Sequence, residues 1–289
     1  MPSAGIYESN APPRAGAGDY AMNNPTRRGV LTALGGVGLA AVAGSGLAGA
    51  SHPPFSRYTL AQATGGTGSL RVAWYERYNG ATVESTGTGT AAAAETLDPT
   101  TDPAYVDDAP GAVVSLGNVL PGDSGTLVVG LQAIDADLDV WFRPRLTADA
   151  ENGQNEPEIL DEGFDSTDQG ELGSATNVLC WLDNSSIFGA CDGHVDPFER
   201  RVRSVDGSEA NGTFVSVADA FTEGVRLPFD GGENCPDALP AGGNRCVGLH
   251  WELPSDVANV VQSDSLEFAL EFVAVSCGDD TNPFAEASQ

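Results

Sequence analysis

Apolar and polar residues alternate with a period of two along much of the chain, which is the pattern of strands with one buried face. The segment Ser69–Gly80, SLRVAWYERYNG, shows it clearly. Turn sequences such as Pro121–Asp123 and Asn152–Gly153 separate such segments, and Thr213–Phe221 alone has the spacing of a short helix. The pattern predicts an all-β fold, a jelly-roll-like β-sandwich with one or two short helices. Further predicted strands are Gly125–Asp135, Asp139–Leu146 and Asn177–Asp183.

Two strands joined by a short connection are predicted near the C-terminus. In Cys246–Leu253, CVGLHWEL, the apolar residues fall on one face, so His250 and Glu252 are predicted to point to solvent. In Ser265–Phe272, SLEFALEF, Leu and Phe alternate with Glu and Ala in the same way. The connection, Pro254–Ser263, has room for one or two helical turns. We interpret this block as scaffold rather than as a metal or catalytic site.

Residues 1–50 are predicted to be a disordered N-region and a cleavable export signal. Arg27 and Arg28 precede a weakly hydrophobic stretch rich in Gly and Ala, which is typical of the twin-arginine route. Ala48 and Ala50 form a small-x-small cleavage site. The alternative is a transmembrane helix, which this Gly-rich stretch is too short to form. We therefore expect the mature protein to be extracellular or held at the cell surface.

The mature chain is expected to have three parts. Residues 51–68 form an N-terminal extension, residues 69–277 the β-sandwich domain, and residues 278–289 a disordered tail. The low-complexity segment Ser85–Pro103 is predicted to be a solvated loop within the domain. No later apolar run reaches the roughly 20 residues that a membrane helix requires, so no membrane span is expected after cleavage.

The charge balance narrows the choice of environment and partners. The chain has 13 basic and 41 acidic residues, a formal net charge of −28, and no lysine. A hydrophobic content of 41% is too high for the composition of a disordered protein. A lysine-free acidic surface indicates a protein that stays hydrated at very high salt, where self-repulsion is screened. We infer a haloarchaeal source rather than an acidic protein of an ordinary organism, and we expect neither nucleic acid nor anionic lipid as a partner.

Five cysteines in an exported chain indicate two disulfides and one free thiol. The sequence alone does not determine the pairing. We expect Cys235 to pair with Cys246, which closes a short loop, and Cys191 to pair with Cys277. Cys180 shares a strand face with apolar residues and is predicted to be a buried free thiol. Zinc binding is the minor alternative, because the chain has no C-x-x-C spacing.

Two further kinds of candidate site are a glycan acceptor and a Ca²⁺ ligand. Asn184 in NSS and Asn211 in NGT are glycosylation sequons on predicted turns. The acidic clusters Asp135–Asp139 and Ile159–Glu171 offer oxygen ligands, of which Ca²⁺ needs about six to eight. Neither has the EF-hand spacing, and a solvated surface loop is the alternative. We expect no cofactor, unless these clusters bind Ca²⁺.

Four segments, in this order, resemble the haloarchaeal branch of the TasA/camelysin family, secreted proteins with SipW-type signal peptides. The resemblance covers most of the mature chain. It includes a first marked strand, a P-G-D-x-G turn with its strand, an E-N-G-x-x-E-P-E loop, and a C-x-G-x-x-W-x-L-P strand with a closing strand. In this sequence the four segments are Ser69–Gly80, Leu116–Gln132, Leu146–Glu158 and Cys246–Cys277.

The resemblance implies a jelly-roll-like β-sandwich and a subunit of an extracellular fibre or pilus. In the better understood members, the N-terminal strand of one subunit fills a groove in the next, which is β-augmentation. Here the candidate donor is Ser51–Gln62, with Phe55, Tyr58 and Leu60 in its short strand. We therefore expect self-association. The alternative is a secreted monomeric module that binds sugar or Ca²⁺.

Camelysin relatives are described as metallopeptidases, so the third hypothesis is an enzyme of that type. Zinc peptidases generally use three protein ligands and a general base, often in H-E-x-x-H on a helix. The histidines here are His52, His194 and His250, and none has a histidine partner at helical spacing. The sequence also lacks a G-x-S-x-G elbow and a P-loop. We assign no catalytic or metal residue and expect no enzyme activity.

Overall fold

The structure is a computed structural model, and it describes residues 55, 57–63, 68–83, 106–107, 112–162, 169–185, 189–231 and 235–285. The predicted export signal with Arg27 and Arg28 lies outside the described residues. So do the cleavage-site residues Ala48 and Ala50 and the low-complexity segment Ser85–Pro103. Predictions on these parts of the chain stay predictions.

Strands are the main secondary structure of the described residues. In chain order these are β1 (Arg57–Gln62), β2 (Ser69–Tyr78), β3 (Ala81–Thr82), β4 (Val106–Asp107), β5 (Ala112–Gly117), β6 (Ser124–Ile134), β7 (Leu138–Ala150), β8 (Asn177–Leu182), β9 (Asn184–Ser185), β10 (Gly189–Ala190), β11 (Asn211–Thr213), β12 (Val225–Arg226), β13 (Asn244–Glu252) and β14 (Ser265–Ser276). The predicted strand segments therefore all fold as strands, with β7 extending four residues beyond its predicted end at Leu146.

The strands form two principal sheets that pack face to face. The large sheet has the order β11-β8-β13-β6-β2-β1-β4, with β3 paired to β2, and the small sheet has the order β12-β7-β14-β5. Long strands that follow one another in sequence cross between sheets, as β5, β6 and β7 do, and as β13 and β14 do. This crossing is typical of jelly rolls, and the predicted all-β sandwich is confirmed.

The main core lies between the two sheets and comes from the predicted alternation. Every second residue of each long strand points inward, because successive side chains of a strand point to opposite faces. Ring packing between Phe214 and Phe268, whose centroids are 4.5 Å apart, closes one end of this core. The inward residues include Leu70, Val72, Trp74, Leu127, Val129, Leu131, Val247, Leu249 and Trp251 from the large sheet, and Val140, Phe142, Leu266, Phe268 and Leu270 from the small sheet.

A second apolar cluster lies on the outer face of the large sheet, which the alternation alone assigns to solvent. Its members, which we call the outer cluster, are Phe55, Ala73, Tyr75, Val128 and Cys246. Each has a side-chain exposure of 2% or less. A loop that follows β10 and carries the half-buried Cys191 packs against them. The large sheet is therefore covered on both faces at this point.

The helices are short. They are α1 (Glu156–Glu162), α2 (Leu172–Ala175) and α3 (Phe214–Ala220), with a 3₁₀ turn at Asn259–Val261. The predicted helix at Thr213–Phe221 is confirmed as α3, and the connection before β14 contains the single helical turn. Thr213 caps α3, since its hydroxyl oxygen accepts a hydrogen bond from the Ser216 N–H at 3.2 Å.

The four cysteines that were predicted to form two disulfides do so, but the predicted pairing is wrong. Cys191 pairs with Cys246 (Cα–Cα 5.3 Å), and Cys235 pairs with Cys277 (Cα–Cα 6.1 Å). Cys246 lies on the outer face of β13, under the loop of Cys191. Cys235 instead lies beside the end of the small sheet, because Leu239 bridges to β7 opposite the end of β14. Cys180 is buried and free, as predicted.

Two predicted domain boundaries need correction. Residues 51–68 are predicted to be an N-terminal extension or donor strand, separate from the domain at 69–277, but β1 is a strand of the chain's own large sheet, hydrogen-bonded to β2. Residues 278–289 are predicted to be disordered, but the described part packs on the fold. Phe284 is 4% exposed, and the Arg143 guanidinium lies 4.2 Å from its ring centroid. In the second case, the partner Arg143 lies far from Phe284 in sequence.

Candidate functional sites

The N-terminal strand β1 occupies a defined place in the large sheet. It pairs antiparallel with β2 over six residues, from Arg57 opposite Trp74 to Gln62 opposite Ser69. The hairpin between them is closed by a hydrogen bond from the Ala63 N–H to a carbonyl oxygen across the turn, at 3.1 Å. On its other side, β1 pairs with β4 in parallel over two residues. The donor candidates Tyr58 and Leu60 thus lie in a strand, as predicted, paired within their own chain.

Phe55 anchors the start of this segment. Its side chain is 2% exposed, and its ring centroid lies 5.9 Å from that of Tyr75. The Tyr75 hydroxyl in turn donates a hydrogen bond to the carbonyl oxygen of Cys191 at 2.7 Å. Burial raises the pKa of Tyr75, so this hydroxyl stays a donor at neutral pH. The N-terminal segment and the disulfide loop are therefore held by the same aromatic side chain.

The longest edge strand that the structure describes belongs to the small sheet. Its edge strand β5 pairs with β14 over six residues, from Ala112 to Gly117, and no other described strand pairs with it. At the opposite edge, β12 has only two residues. An edge strand of six residues presents a row of backbone groups to which another strand can add.

A groove of about 670 Å³ lies on the outer face of the large sheet, beside the outer cluster. Arg77, Thr126 and His250 follow one another across β2, β6 and β13 in register, and all three line it. His194 and Trp181 line the same groove. His250 and Glu252 both lie on the outer face, as predicted; Glu252 is exposed, whereas His250 is half-buried in the groove. Period-two alternation predicts the face but not this burial, because residues of a loop, such as His194, line the same groove.

Hydrogen bonds fix the groove's polar groups. Arg77 donates to the carbonyl oxygen of Asp192 at 2.9 Å, and Thr126 Oγ1 lies 3.3 Å from His250 Nδ1. Burial lowers the pKa of His250, so its imidazole is neutral at neutral pH. Neighbouring Gly248 has no room for a side chain, because an added Cβ would collide with the ring of the fully buried Trp181.

A buried carboxylate supports the loop over the groove. Asp183 is fully buried, and its Oδ2 accepts a hydrogen bond from the Gly193 N–H at 2.8 Å. Burial raises the pKa of Asp183, and the carboxylates of Glu199 and Asp192 raise it further. Asp192 accepts a hydrogen bond from the His194 N–H at 2.8 Å. Backbone donors thus hold the loop that carries His194 in place.

A group of three carboxylate side chains, which we call the acidic cluster, lies where β7 ends and β14 begins. It consists of Glu151, Glu171 and Asp264, whose nearest ligand oxygens all lie within 4.8 Å of one another. Of these three residues, only Glu171 belongs to an acidic cluster predicted from the sequence, Ile159–Glu171. No sequence signal links it to the other two, because 93 residues separate Glu171 from Asp264. In the other predicted cluster, Asp139 lies 3.5 Å from the Arg226 guanidinium instead.

The two sequons differ in accessibility. Asn184 lies in β9 rather than a turn, and both ends of its amide are bound to the backbone of Cys246, at 3.1 Å for Nδ2 and 2.8 Å for Oδ1. A glycan on that nitrogen would displace the first hydrogen bond. Asn211 is exposed at the start of β11. Of the two predicted acceptors, only Asn211 presents a free surface.

The metallopeptidase hypothesis depends on histidines, and His194 and His250 do line one groove. Among the described residues, the only group of three candidate ligand side chains is the acidic cluster, which contains no histidine. His52 lies outside the described residues.

Together, the fold and the cysteine pairs define a disulfide-bonded β-sandwich, with a bonding state that is typical of oxidising compartments. No family model matches the chain, and no curated protein sequence is similar to it. The resemblance to the TasA/camelysin family therefore stays a prediction. Within the described part of the chain, no helix is long and apolar enough to cross a membrane.

Proposed function

We propose that this chain is an exported structural protein of the cell surface or extracellular matrix, whose copies assemble into filaments by exchanging strand β1. Export by the twin-arginine route through Arg27 and Arg28, a haloarchaeal source and a TasA-like family are parts of the same proposal. The observation that supports it is the position of β1, which is both the first strand that the structure describes and an integral strand of the large sheet.

A terminal strand can leave its sheet without threading the rest of the chain. When β1 of one copy pairs with β2 of the next, the six-residue register forms again with the same backbone partners. The exchange requires that β1 leaves its own β2 and β4, that Phe55 leaves its own outer cluster, and that the hairpin hydrogen bond of Ala63 opens. Phe55 would then fill the outer cluster of the neighbouring copy and fix the register.

Cysteine cross-linking across the β1–β2 register tests this exchange. Leu60 and Arg71 are opposite each other, so the double variant Leu60→Cys/Arg71→Cys reports whether the two strands belong to one chain. Exchanged strands give a ladder of covalent multimers on a non-reducing gel, with filaments visible by electron microscopy. The matched control, Leu60→Cys/Arg77→Cys, places the second thiol out of register on β2 and gives no ladder.

Two results would count against the proposal. One is an intrachain cross-link alone, with a monodisperse monomer by light scattering at every salt concentration. The other is that filaments form but persist when β1 is first locked to its own β2 by the Leu60–Arg71 cross-link. The second result would move assembly to another edge, such as β5.

The groove favours a second candidate function, a monomeric module that binds a sugar. In a chain of net charge −28, the cationic Arg77 lines this groove beside His194 and His250, and none of the described carboxylate side chains lines it. Acidic oligosaccharides match this chemistry. Titration calorimetry with carboxylated or sulfated oligosaccharides tests it, with Arg77→Gln expected to weaken binding and Arg203→Gln, an exposed arginine elsewhere, to leave it unchanged.

A further inference from the structure

We propose that the acidic cluster of Glu151, Glu171 and Asp264 is a Ca²⁺ site. The β7–β14 register builds it. Ser265 is opposite Ala150 at the end of the strand pair. The residues just beyond them, Asp264 and Glu151, therefore leave the sheet side by side. Glu171 arrives from the segment before α2. Its backbone N–H donates to Asp264 Oδ2 at 2.7 Å, which fixes its place.

The observation that points to a cation is one oxygen of Asp264. The side chain is 1% exposed, and Oδ2 accepts hydrogen bonds from the backbone N–H groups of Glu171 and Leu172, at 2.7 and 3.0 Å. Oδ1 is equally buried and has no hydrogen-bond partner among the residues that the structure describes. A buried carboxylate oxygen without a donor is costly, and a cation shared with two neighbouring carboxylates removes that cost.

The ligand set favours Ca²⁺ over Mg²⁺. Two oxygens on opposite sides of Ca²⁺, each about 2.4 Å away, are about 4.8 Å apart. The nearest oxygens of the three carboxylates all lie within that distance of one another. Mg²⁺ demands a near-ideal octahedron and gives up its water reluctantly, so a group of three protein carboxylates suits Ca²⁺ better. The positions that three carboxylates leave open, out of about six to eight, suit water and backbone carbonyls.

The backbone around the cluster is already held in place. Asn152 Nδ2 donates to the Ser263 carbonyl oxygen and to Ser265 Oγ, both at 2.9 Å, and so ties the two strand ends together. Gly170 packs so closely that a Cβ there would lie 2.8 Å from Asp264 Oδ2.

Calorimetry on the full-length protein tests the site. After dialysis against chelator at fixed NaCl and pH 7.5, titration with CaCl₂ is expected to show one saturable site per chain. Glu151→Gln and Asp264→Asn are expected to weaken binding at least tenfold. Glu267→Gln, an exposed carboxylate on β14, is the matched control and is expected to bind as the wild type does. The half-exposed Glu151 keeps the test valid if the Asp264 variant does not fold.

Thermal unfolding gives an independent readout. Ca²⁺ at about 100 times its dissociation constant should raise the folding equilibrium constant about 100-fold. The same concentration of MgCl₂ should have a smaller effect. The proposal is overturned if the wild type shows no saturable Ca²⁺ heat, if both variants bind as the wild type does, or if Ca²⁺ and Mg²⁺ stabilise equally, which would indicate charge screening. The site does not depend on whether the sandwich polymerises.

Discussion

Truncating Phe55 should release strand β1 while leaving the rest of the sandwich folded. The ring is 2% exposed and packs on Tyr75 in the outer cluster, not in the main core. Replacing a buried Phe with Ala typically costs about 3–5 kcal/mol. Because Phe55 belongs to the terminal segment, most of this cost should fall on the equilibrium between docked and undocked β1.

The expected magnitude follows from that free energy. A loss of about 3 kcal/mol raises the population of the undocked strand by about a hundredfold, since about 1.4 kcal/mol corresponds to a factor of ten. Amide hydrogen exchange measured by mass spectrometry on the β1 peptide should therefore become at least about a hundred times faster in Phe55→Ala. Exchange in β6 and β13, in the centre of the large sheet, should stay slow.

Phe198 provides the matched control, because it is also a phenylalanine but 74% exposed. Phe198→Ala is expected to leave exchange in β1 unchanged. Unchanged exchange in Phe55→Ala would refute the reasoning, since β1 would then be held by its backbone pairing alone. A uniform increase across the large sheet would refute it differently, because the outer cluster would then support the whole sandwich.

Three other predictions concern the scaffold. Gly248→Ala should lower the free energy of unfolding by about 1–3 kcal/mol, measured by chemical denaturation, because the added Cβ displaces the buried ring of Trp181. Thr213→Ala should lower the free energy of unfolding by about 1 kcal/mol, because the Ser216 N–H loses its acceptor at the start of α3. Thr213→Ser keeps a hydroxyl there and should lose much less stability. Without Ca²⁺, stability should fall as pH rises from about 4 to about 7. The folded-state pKa of Asp264 is raised from 3.8 to about 7, so the folded state holds the proton that the unfolded state has lost. In Asp264→Asn, the free energy of unfolding should fall less steeply as pH rises, and an unchanged pH dependence would contradict this prediction.

Period-two alternation predicts the inner face of both sheets, and the reason is physical. Each long strand contributes every second side chain to the main core, so the signal is local and repeats within a few residues. Trp74, Leu249 and Phe268 are all buried where the pattern puts them. The N-cap of α3 is also a local signal, because Thr213 and Ser216 are three residues apart.

The outer face was not predictable in this way. Ala73 and Tyr75 alternate correctly, yet both are buried, because Phe55 and the loop of Cys191 cover them from outside the strand. The half-burial of His250 has the same cause. The predicted disulfide pairing was wrong for a related reason. Nearness in sequence favours a bond between Cys235 and Cys246, whereas the sheet topology places these two residues on different parts of the sandwich.

The acidic cluster shows why composition hides a site of this kind. In a chain with 41 acidic residues, another cluster of Asp and Glu carries little information, and a solvated surface explains most of them. What distinguishes Asp264 is its burial and its oxygen without a donor, and neither is visible before the β7–β14 register is known. An acidic surface can tolerate screened charges at high salt, but salt screens a buried carboxylate far less. The unpaired oxygen of Asp264 therefore requires a local partner, and the proposed Ca²⁺, shared with the two carboxylates beside it, would supply one.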